Sequence, residues 1–115
     1  MPRYFLNLNI GDFLRDTQNL GPLNTGAYLR LLMHYTARGK LPTDDEELRT
    51  ITGMDARQWR RNKPKLQKFF DANWRQSRIE GDIAKQDRLS IMRKVAGQAG
   101  GLSTSMSRRA RSRLT

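Results

Sequence analysis

The 115-residue sequence has no cysteine and only one histidine, His34. The absence of thiols excludes disulfides and thiolate metal sites. His34 lies beside apolar positions of a predicted helix, with no second histidine near it, so we interpret it as a structural residue. The sequence also lacks Ser-His-Asp, paired-acid and P-loop patterns. We therefore predict a protein that is not an enzyme and that holds no cofactor and no metal.

Long apolar runs are missing as well. No stretch approaches the roughly 20 residues that a membrane-spanning helix requires. The N-terminus also lacks the basic-then-apolar pattern of a signal peptide. We therefore expect a cytoplasmic protein with no membrane partner. The apolar content of 37% is nevertheless sufficient for a folded body, and the length favours a single domain.

Acidic residues are scarce, and none follows Asp87. The sequence contains 22 Lys and Arg residues against 11 Asp and Glu residues, which gives a net charge of +11. A domain this basic usually binds phosphates, either of nucleic acid or of an anionic membrane surface. Because no membrane segment is present, nucleic acid is the favoured partner.

Within residues 55–70, DARQWRRNKPKLQKFF, the twelve residues 57–68 carry six positive charges and no acid. In a helix, three of the arginines would share one face while Trp59 points towards the core. A solvated helix surface is the alternative, but such surfaces usually mix charges of both signs. Pro64 predicts that the helix covers about 55–63. The DNA contacts predicted in this segment are Arg57, Arg60, Arg61, Lys63, Lys65 and Lys68.

Three helices are predicted before this segment. The first is short and covers "IGDFLRDT" at 10–17. The second covers about 24–38, with Asn24 as its N-cap. Gly26 lowers the helix propensity of this second segment, so it indicates close packing at that point.

A third predicted helix leads directly into the basic segment. Thr43 and Glu46 have the spacing of a capping box, and the acids at 44–47 suit a helix N-terminus better than a metal site. Gly53 ends this helix, and Asp55 caps the next. Helix, glycine turn and basic helix together predict a helix-turn-helix whose second helix contacts DNA. Arg49 fits this pattern poorly, because helix packing at its position usually favours a small residue.

Alternation of apolar and polar residues predicts β-structure at two places. One is a short strand near 4–8, and the other is a hairpin over about 69–79. A hairpin after a DNA-contacting helix is the wing of a winged helix. Arg75 and Arg78 would lie on this wing, on opposite faces of its strand. The predicted fold is thus α+β and mainly helical, a winged helix-turn-helix with a short β-hairpin wing and a C-terminal helix.

The C-terminal region divides into a helix and a basic tail. We predict a domain over 1–96, including a helix from about residue 80, and a flexible Gly/Ser/Arg tail over 97–115. Met92, Val95 and Ala96 lie at helical spacing and form a candidate homodimer surface. The tail could enter a minor groove as an arm or serve only to increase solubility. Its predicted DNA contacts are Arg108, Arg109 and Arg111.

The residues from "IGDFLRDT" through "GAYLRLLMHYTARGKLPTDDEEL" to "ITGM", Trp59, "FF" and Trp74 resemble the YdaU-like domain of phage and prophage proteins. The resemblance spans about residues 4–90. Members of this family are similar to winged-helix domains of phage replication initiators and replisome organisers. The resemblance therefore implies DNA binding near an origin, in the cytoplasm of a host cell and in association with its nucleoid. It further implies a replication protein as a partner, although this sequence holds no second region to recruit one.

Together, these observations predict a sequence-selective double-stranded DNA-binding protein of a phage or mobile element, acting in replication initiation or replisome organisation. A DNA-binding transcriptional regulator, with a transcription protein as partner, is the alternative. A protein–protein adaptor without a nucleic-acid role is a second alternative, using Phe69, Phe70 and the apolar residues of 83–96.

Overall fold

The computed structural model describes the backbone of residues 3–111 and the side chains of residues 3–97. Within residues 3–111 it contains α-helices and no β-strand. The predicted α+β winged helix-turn-helix is therefore wrong in its β part, whereas the mainly helical character is confirmed. The helices are α1 (Ile10–Thr17), α2 (Pro22–Arg38), α3 (Asp45–Thr52), α4 (Ala56–Gln67) and α5 (Ser77–Arg111).

The chain divides into two compact units, Met1–Ile83 and Ala84–Thr115. Among the described residues, every buried apolar side chain belongs to the first unit, from Ala27 to Ile83. In the second unit the residues of 84–97 are exposed, except for the half-buried Gln86. The division predicted at residue 96 stays a prediction, because the side chains of the tail beyond residue 97 lie outside the described residues.

α2 begins earlier than the sequence predicts. Gly21 occupies the N-cap position with a φ of 78°, and Pro22 is the first helical residue, where its missing N–H costs no helical hydrogen bond. Asn24 is therefore not the cap; it lies inside the helix and is buried. Gly26 is exposed, and a Cβ added there would meet no atom within 4 Å, so the prediction of close packing at Gly26 is also wrong.

α3 and α4 follow each other through a turn of three residues, 53–55. Asp44, not Thr43, caps α3, because its carboxylate accepts a hydrogen bond from the Glu47 N–H at 3.0 Å. Gly53 ends α3 in the left-handed conformation, with a φ of 79°. Asp55 and Gln58 then form a capping box at the start of α4. The predicted cap at Asp55 and the predicted end at Gly53 are both confirmed.

The predicted wing is a tight turn followed directly by α5. Asp71 Oδ1 accepts hydrogen bonds from the N–H groups of Asn73 and Arg75 at 2.8 and 2.9 Å. The Asp71 N–H in turn donates to the Arg75 carbonyl at 2.8 Å. α5 begins at Ser77, and its buried residues Ile79 and Ile83 are four apart, as one helix face requires. The chain therefore has no room for a second strand.

The segment at 4–8, predicted as a strand, has no regular secondary structure. Its alternation is nevertheless present, because Leu6 and Leu8 are half-buried while Phe5 and Asn7 are exposed. Within residues 3–111 no neighbouring strand is available to pair with this segment, and a strand is defined by that pairing.

The core of the first unit is assembled around the tyrosines of α2. Tyr28 and Tyr35 are 2% and 0% exposed. The Tyr28 ring stacks on Phe69 with ring centroids 4.3 Å apart, and it is 5.8 Å from the ring of Phe13. Burial of such rings is a large part of the apolar area that stabilises a domain of this size. The packing holds α1, α2 and the turn after α4 together.

Candidate nucleic-acid interface

α4 divides into a buried face and a basic face. Trp59, Asn62 and Leu66 are buried, at 3%, 7% and 0% exposure. They lie three and four residues apart and so share one side of the helix. The exposed side of α4 carries most of the cations that the sequence predicted as DNA contacts. We call it the α4 basic face, and it consists of the exposed residues Arg57, Arg60, Arg61, Lys65 and, directly after the helix, Lys68.

Trp59 sets the rotation of α4 about its axis. Its indole Nε1 donates a hydrogen bond to Asp45 Oδ1 at 2.8 Å, and its ring lies 5.9 Å from that of Trp74. A buried tryptophan needs such a partner for its N–H. With the indole held on the inside, Arg57 and Arg61 are directed towards solvent.

Lys63 differs from the other five cations of the segment. Its Nζ lies 2.7 Å from Asp45 Oδ1 and forms a salt bridge. The hydrogen bonds from Lys63 and then from Trp59 lower the pKa of Asp45. Lys63 thus links α4 to α3 through this salt bridge. It is therefore less available to DNA than the sequence predicted.

Arg75 and Arg78 do not lie on a wing, and both are paired with acids. Arg75 Nη2 is 3.2 Å from Glu80 Oε1. Arg78, in the first turn of α5, contacts Asp12 at 3.4 Å and Asp16 at 3.1 Å. The prediction placed these two arginines on opposite faces of a strand; the structure places one in the turn and the other on a helix. Their charge is largely compensated within the protein.

The α4 basic face has no such compensation. Among the described residues, none of its five cations forms an ion pair or a side-chain hydrogen bond. Like charges this close repel one another unless a polyanion is nearby. The structure thus separates the cations predicted as DNA contacts into an unpaired group on α4 and a paired group at Lys63, Arg75 and Arg78.

Pro64 lies inside α4, which continues to Gln67. The predicted end near residue 63 is therefore wrong. Because the helix continues, Lys65 stays on the same helix as Arg57 and Arg61, and Lys68 follows at its C-cap.

Arg49 joins α3 to the turn that precedes α4. Its Nη1 donates to the Met54 carbonyl at 2.7 Å, and its Nε donates to Glu46 Oε2 at 2.9 Å. These bonds satisfy a carbonyl of the turn that no helical N–H reaches. A large residue is thus useful at a position where the sequence pattern favoured a small one.

Arg30 is a cation near this turn that the sequence reasoning missed. It is exposed on α2, and its Nη1 lies 2.7 Å from the point where a Cβ on Gly53 would stand. The sequence gives no local signal for this position, because Arg30 is surrounded by the apolar residues of α2. Only the packing of α2 against the α3–α4 pair brings it there.

Residues 4–84 match the model of the family described as "Protein of unknown function (DUF1376)". The chain belongs to this family. It is also 35% identical over 98 residues to the Uncharacterized protein YdaU of Escherichia coli (strain K12). That match covers 83% of this chain and 34% of YdaU, so the chain spans about a third of the relative's length.

No solved structure shows a significant match to this DUF1376 chain. The family description and the name of the relative assign neither a winged helix nor a role in replication. The match to DUF1376 and the similarity to YdaU confirm only the family part of the predicted resemblance. Within the described residues, no helix is long and apolar enough to cross a membrane.

A cavity lies beside α3, between it and α2. It has a volume of about 530 Å³, and it is lined by residues of α2 and α3 that include His34, Arg38 and Glu47. Burial and the charge of Arg38 lower the pKa of His34. Within the part of the chain described, no three His, Cys, Asp or Glu side chains are grouped as metal ligands.

The predicted tail contacts Arg108, Arg109 and Arg111 lie outside the residues whose side chains are described.

Proposed function

We propose that this protein binds double-stranded DNA through α4. Arg57, Arg60 and Arg61 enter the major groove, and Lys65 and Lys68 contact backbone phosphates. One observation carries the proposal: within the described residues, the α4 basic face is exposed and without acidic partners, whereas Lys63, Arg75 and Arg78 are paired. A folded surface that keeps repelling charges together is stabilised when a polyanion binds it.

The connection between α3 and α4 supports this use of the helix. In a helix-turn-helix, residues near the N-terminus of the second helix reach base edges, while the first helix crosses the backbone. Arg57, Arg60 and Arg61 lie in the first half of α4. An arginine can donate two hydrogen bonds to a guanine, so these three residues are suited to base recognition.

The salt dependence of binding tests the electrostatic part of the proposal. If six to eight phosphates are neutralised, log affinity for duplex DNA should fall with log salt at a slope of about −5 to −7. Fluorescence polarisation with a labelled duplex, measured over a range of salt concentrations, gives this slope. A slope near −1 would contradict DNA binding by this surface.

A pair of triple variants tests the location of the interface. Arg57, Arg60 and Arg61→Ala should weaken binding at least about 100-fold, because each contact contributes about 1–3 kcal/mol. Arg15, Arg38 and Arg75→Ala removes the same net charge from other elements and serves as the control. Equal losses in the two variants would place the interface elsewhere.

Selection of sites from random duplexes, with double-stranded RNA as a competitor, tests the sequence selectivity and the preference for DNA.

The biological setting that we propose is replication initiation or replisome organisation of a phage or mobile element, in the nucleoid of the host cell. This part rests on the sequence resemblance, and regulation of transcription is the alternative. Sequencing of crosslinked DNA across the genome distinguishes them, because it reports occupancy at origins or at promoters. Occupancy at promoters alone would contradict the replication role.

Exposed apolar side chains on α5 favour a second role for that helix, in self-association. Ile91, Met92 and Val95 are 62%, 63% and 58% exposed, and such side chains are stabilised by burial against a partner. We propose a homodimer through this part of α5. A monomer in light scattering at high protein concentration would contradict it.

The adaptor alternative loses support at Phe69 and Phe70, since Phe70 is buried and Phe69 is half-buried in the core.

A further inference from the structure

Arg30 occupies a position at the α3–α4 turn that Gly53 keeps open. Gly53 has a φ of 79°, a conformation that L side chains rarely adopt. The Arg30 guanidinium covers the space that a side chain would need there, with Nη1 2.7 Å from the Cβ position. The glycine thus permits both the turn and the approach of Arg30.

The guanidinium of Arg30 retains its hydrogen-bonding capacity. Among the described residues, Arg30 has no ion pair and no hydrogen bond. Arg49, the other arginine at this turn, is already bonded to Glu46 and to the Met54 carbonyl through all three of its guanidinium nitrogens. Arg30 is therefore the arginine at the turn that can bind an external anion.

Two contacts place Arg30 beside the N-terminal end of α4. Near the start of α2, Asn24 Nδ2 donates to Asn62 Oδ1 in the second half of α4, at 3.1 Å. Further along α2, Arg30 meets Gly53, just before α4 begins. Moving along α2 from Asn24 to Arg30 therefore leads from the second half of α4 towards its N-terminal end. Arg30 lies at the same end of α4 as Arg57.

The surface of α2 next to Arg30 is open to a large ligand. Gly26 lies four residues before Arg30, so the two share one exposed face. A Cβ on Gly26 would meet no atom within 4 Å. Glycine in a helix costs about 0.5–1 kcal/mol relative to alanine, and no packing within the described chain compensates for that cost.

We propose that Arg30 binds a backbone phosphate of the DNA strand that borders the groove entered by α4. This inference rests on the proposed DNA binding and adds a contact from outside the helix-turn-helix pair. The ligand class is a phosphodiester, for which a guanidinium with open donors is well suited. Contacts of this kind position a protein on the duplex without reading its sequence.

The test compares single variants on a labelled duplex over a range of salt concentrations. Arg30→Ala should weaken binding about 3- to 10-fold at 100 mM salt and make the slope less negative by about 0.9, the value for one phosphate. Arg30→Lys should retain most of the slope, since it keeps the charge. Arg38→Ala, on the same helix but lining the cavity with α3, is the matched control.

A second pair of variants leaves Arg30 in place. In Gly26→Glu the new carboxylate lies one turn before Arg30, pairs with it and repels the phosphate. Gly26→Gln has nearly the same shape without the charge. Because the space at Gly26 is open, we expect neither variant to lower stability in urea unfolding. Binding should be at least about 5-fold weaker for Gly26→Glu than for Gly26→Gln.

The outcomes separate this inference from the proposed function. If Arg30→Ala matches Arg38→Ala in affinity and slope, or if Gly26→Glu matches Gly26→Gln, the Arg30 contact is overturned. A large loss in the Arg57, Arg60 and Arg61→Ala variant would then still support DNA binding by α4. If that triple variant binds like the wild type, the proposed function fails, and the Arg30 contact fails with it.

Discussion

Asn24 and Asn62 meet between α2 and α4, and each is 7% exposed. Asn24 Nδ2 donates to Asn62 Oδ1 at 3.1 Å, and Asn62 Nδ2 donates to the Gln58 carbonyl at 2.8 Å. Asn24 Oδ1 is buried without a hydrogen-bond partner among the described residues. The pair is therefore asymmetric, because Asn24 depends on Asn62 for its side-chain bond while Asn62 has a second partner.

This asymmetry predicts that Asn62→Ala destabilises the protein more than Asn24→Ala does. The first change leaves both polar atoms of Asn24 buried and unpaired, at a cost of about 1–3 kcal/mol. The second leaves only Asn62 Oδ1 unpaired and also removes the unpaired Asn24 Oδ1. We expect the difference in the free energy of unfolding to be about 1–2 kcal/mol. Urea unfolding measures it, and each variant serves as the volume-matched control for the other.

Glu80 links α5 to α2 through Tyr35. Tyr35 Oη donates a hydrogen bond to Glu80 Oε2 and accepts one from the Gln76 N–H at 3.1 Å. The hydrogen bond from Tyr35, followed by that from Arg75, lowers the pKa of Glu80 below its ordinary value of 4.5. A carboxylate whose pKa is lower in the folded state contributes stability above the unfolded pKa.

The contribution of Glu80 should therefore disappear as the pH falls from 4.5 through its lower folded pKa. Tyr35→Phe removes the largest cause of the shift but keeps the ring. We expect the urea midpoint of this variant to fall less steeply than that of the wild type below pH 4.5. Glu80→Gln, which cannot titrate, should show a similarly reduced slope. A wild-type slope in both variants would assign the acid sensitivity to other groups.

At the scale of elements, Pro64 is the feature of α4 that conflicts most with its helical structure. A proline in a helix interior lacks the N–H that would bond the carbonyl four residues before it, here Arg60. It also crowds that carbonyl, and the total cost can reach about 3 kcal/mol. α4 nevertheless continues to Gln67, with Leu66 fully buried. Burial of residues beyond the proline therefore outweighs its local cost.

Pro64→Ala should consequently stabilise the protein by about 1–3 kcal/mol. Pro64 is exposed, so the substitution removes no buried contact and restores one helical hydrogen bond. Thermal or urea unfolding measures the gain, and Ala56→Pro, at the first helical position where proline is tolerated, gives a control for proline in the same helix. A loss of stability on Pro64→Ala would show that the ring contributes packing.

The helices could be predicted from the sequence where local chemistry determines them. Asp55 and Gly53 were identified correctly, because a cap and a left-handed glycine act within a few residues. The hairpin prediction failed because tertiary packing, and not the local sequence, determines the backbone conformation of this segment. Trp74, at 4% exposure, has a φ of 58°, and its ring lies 5.4 Å from that of Phe70. Core packing thus holds a tryptophan in a backbone conformation that costs about 1–2 kcal/mol, which alternation of residues cannot reveal.

At the scale of the molecule, composition predicted the presence of a basic surface but not which cations it contains. The run on α4 was visible in the sequence because its residues are consecutive. The pairing of Arg78 with Asp12 and Asp16, and the approach of Arg30 to Gly53, join residues that are distant in the chain. Such contacts follow only from the packing of whole helices. The net charge of +11 is therefore a poor guide to which cations remain unpaired.

Removal of residues 91–115 should leave the fold of the first unit intact. Among the described residues, all buried apolar side chains lie between Ala27 and Ile83, so the truncated chain loses none of them. At a protein concentration at which both chains are monomeric, we expect a cooperative urea transition with a free energy of unfolding within about 0.5 kcal/mol of the full chain, the usual range for changes outside the core. DNA affinity should fall and its salt slope become less negative, because the cations after residue 90 are gone. Loss of the cooperative transition would mean that the core needs residues beyond 90.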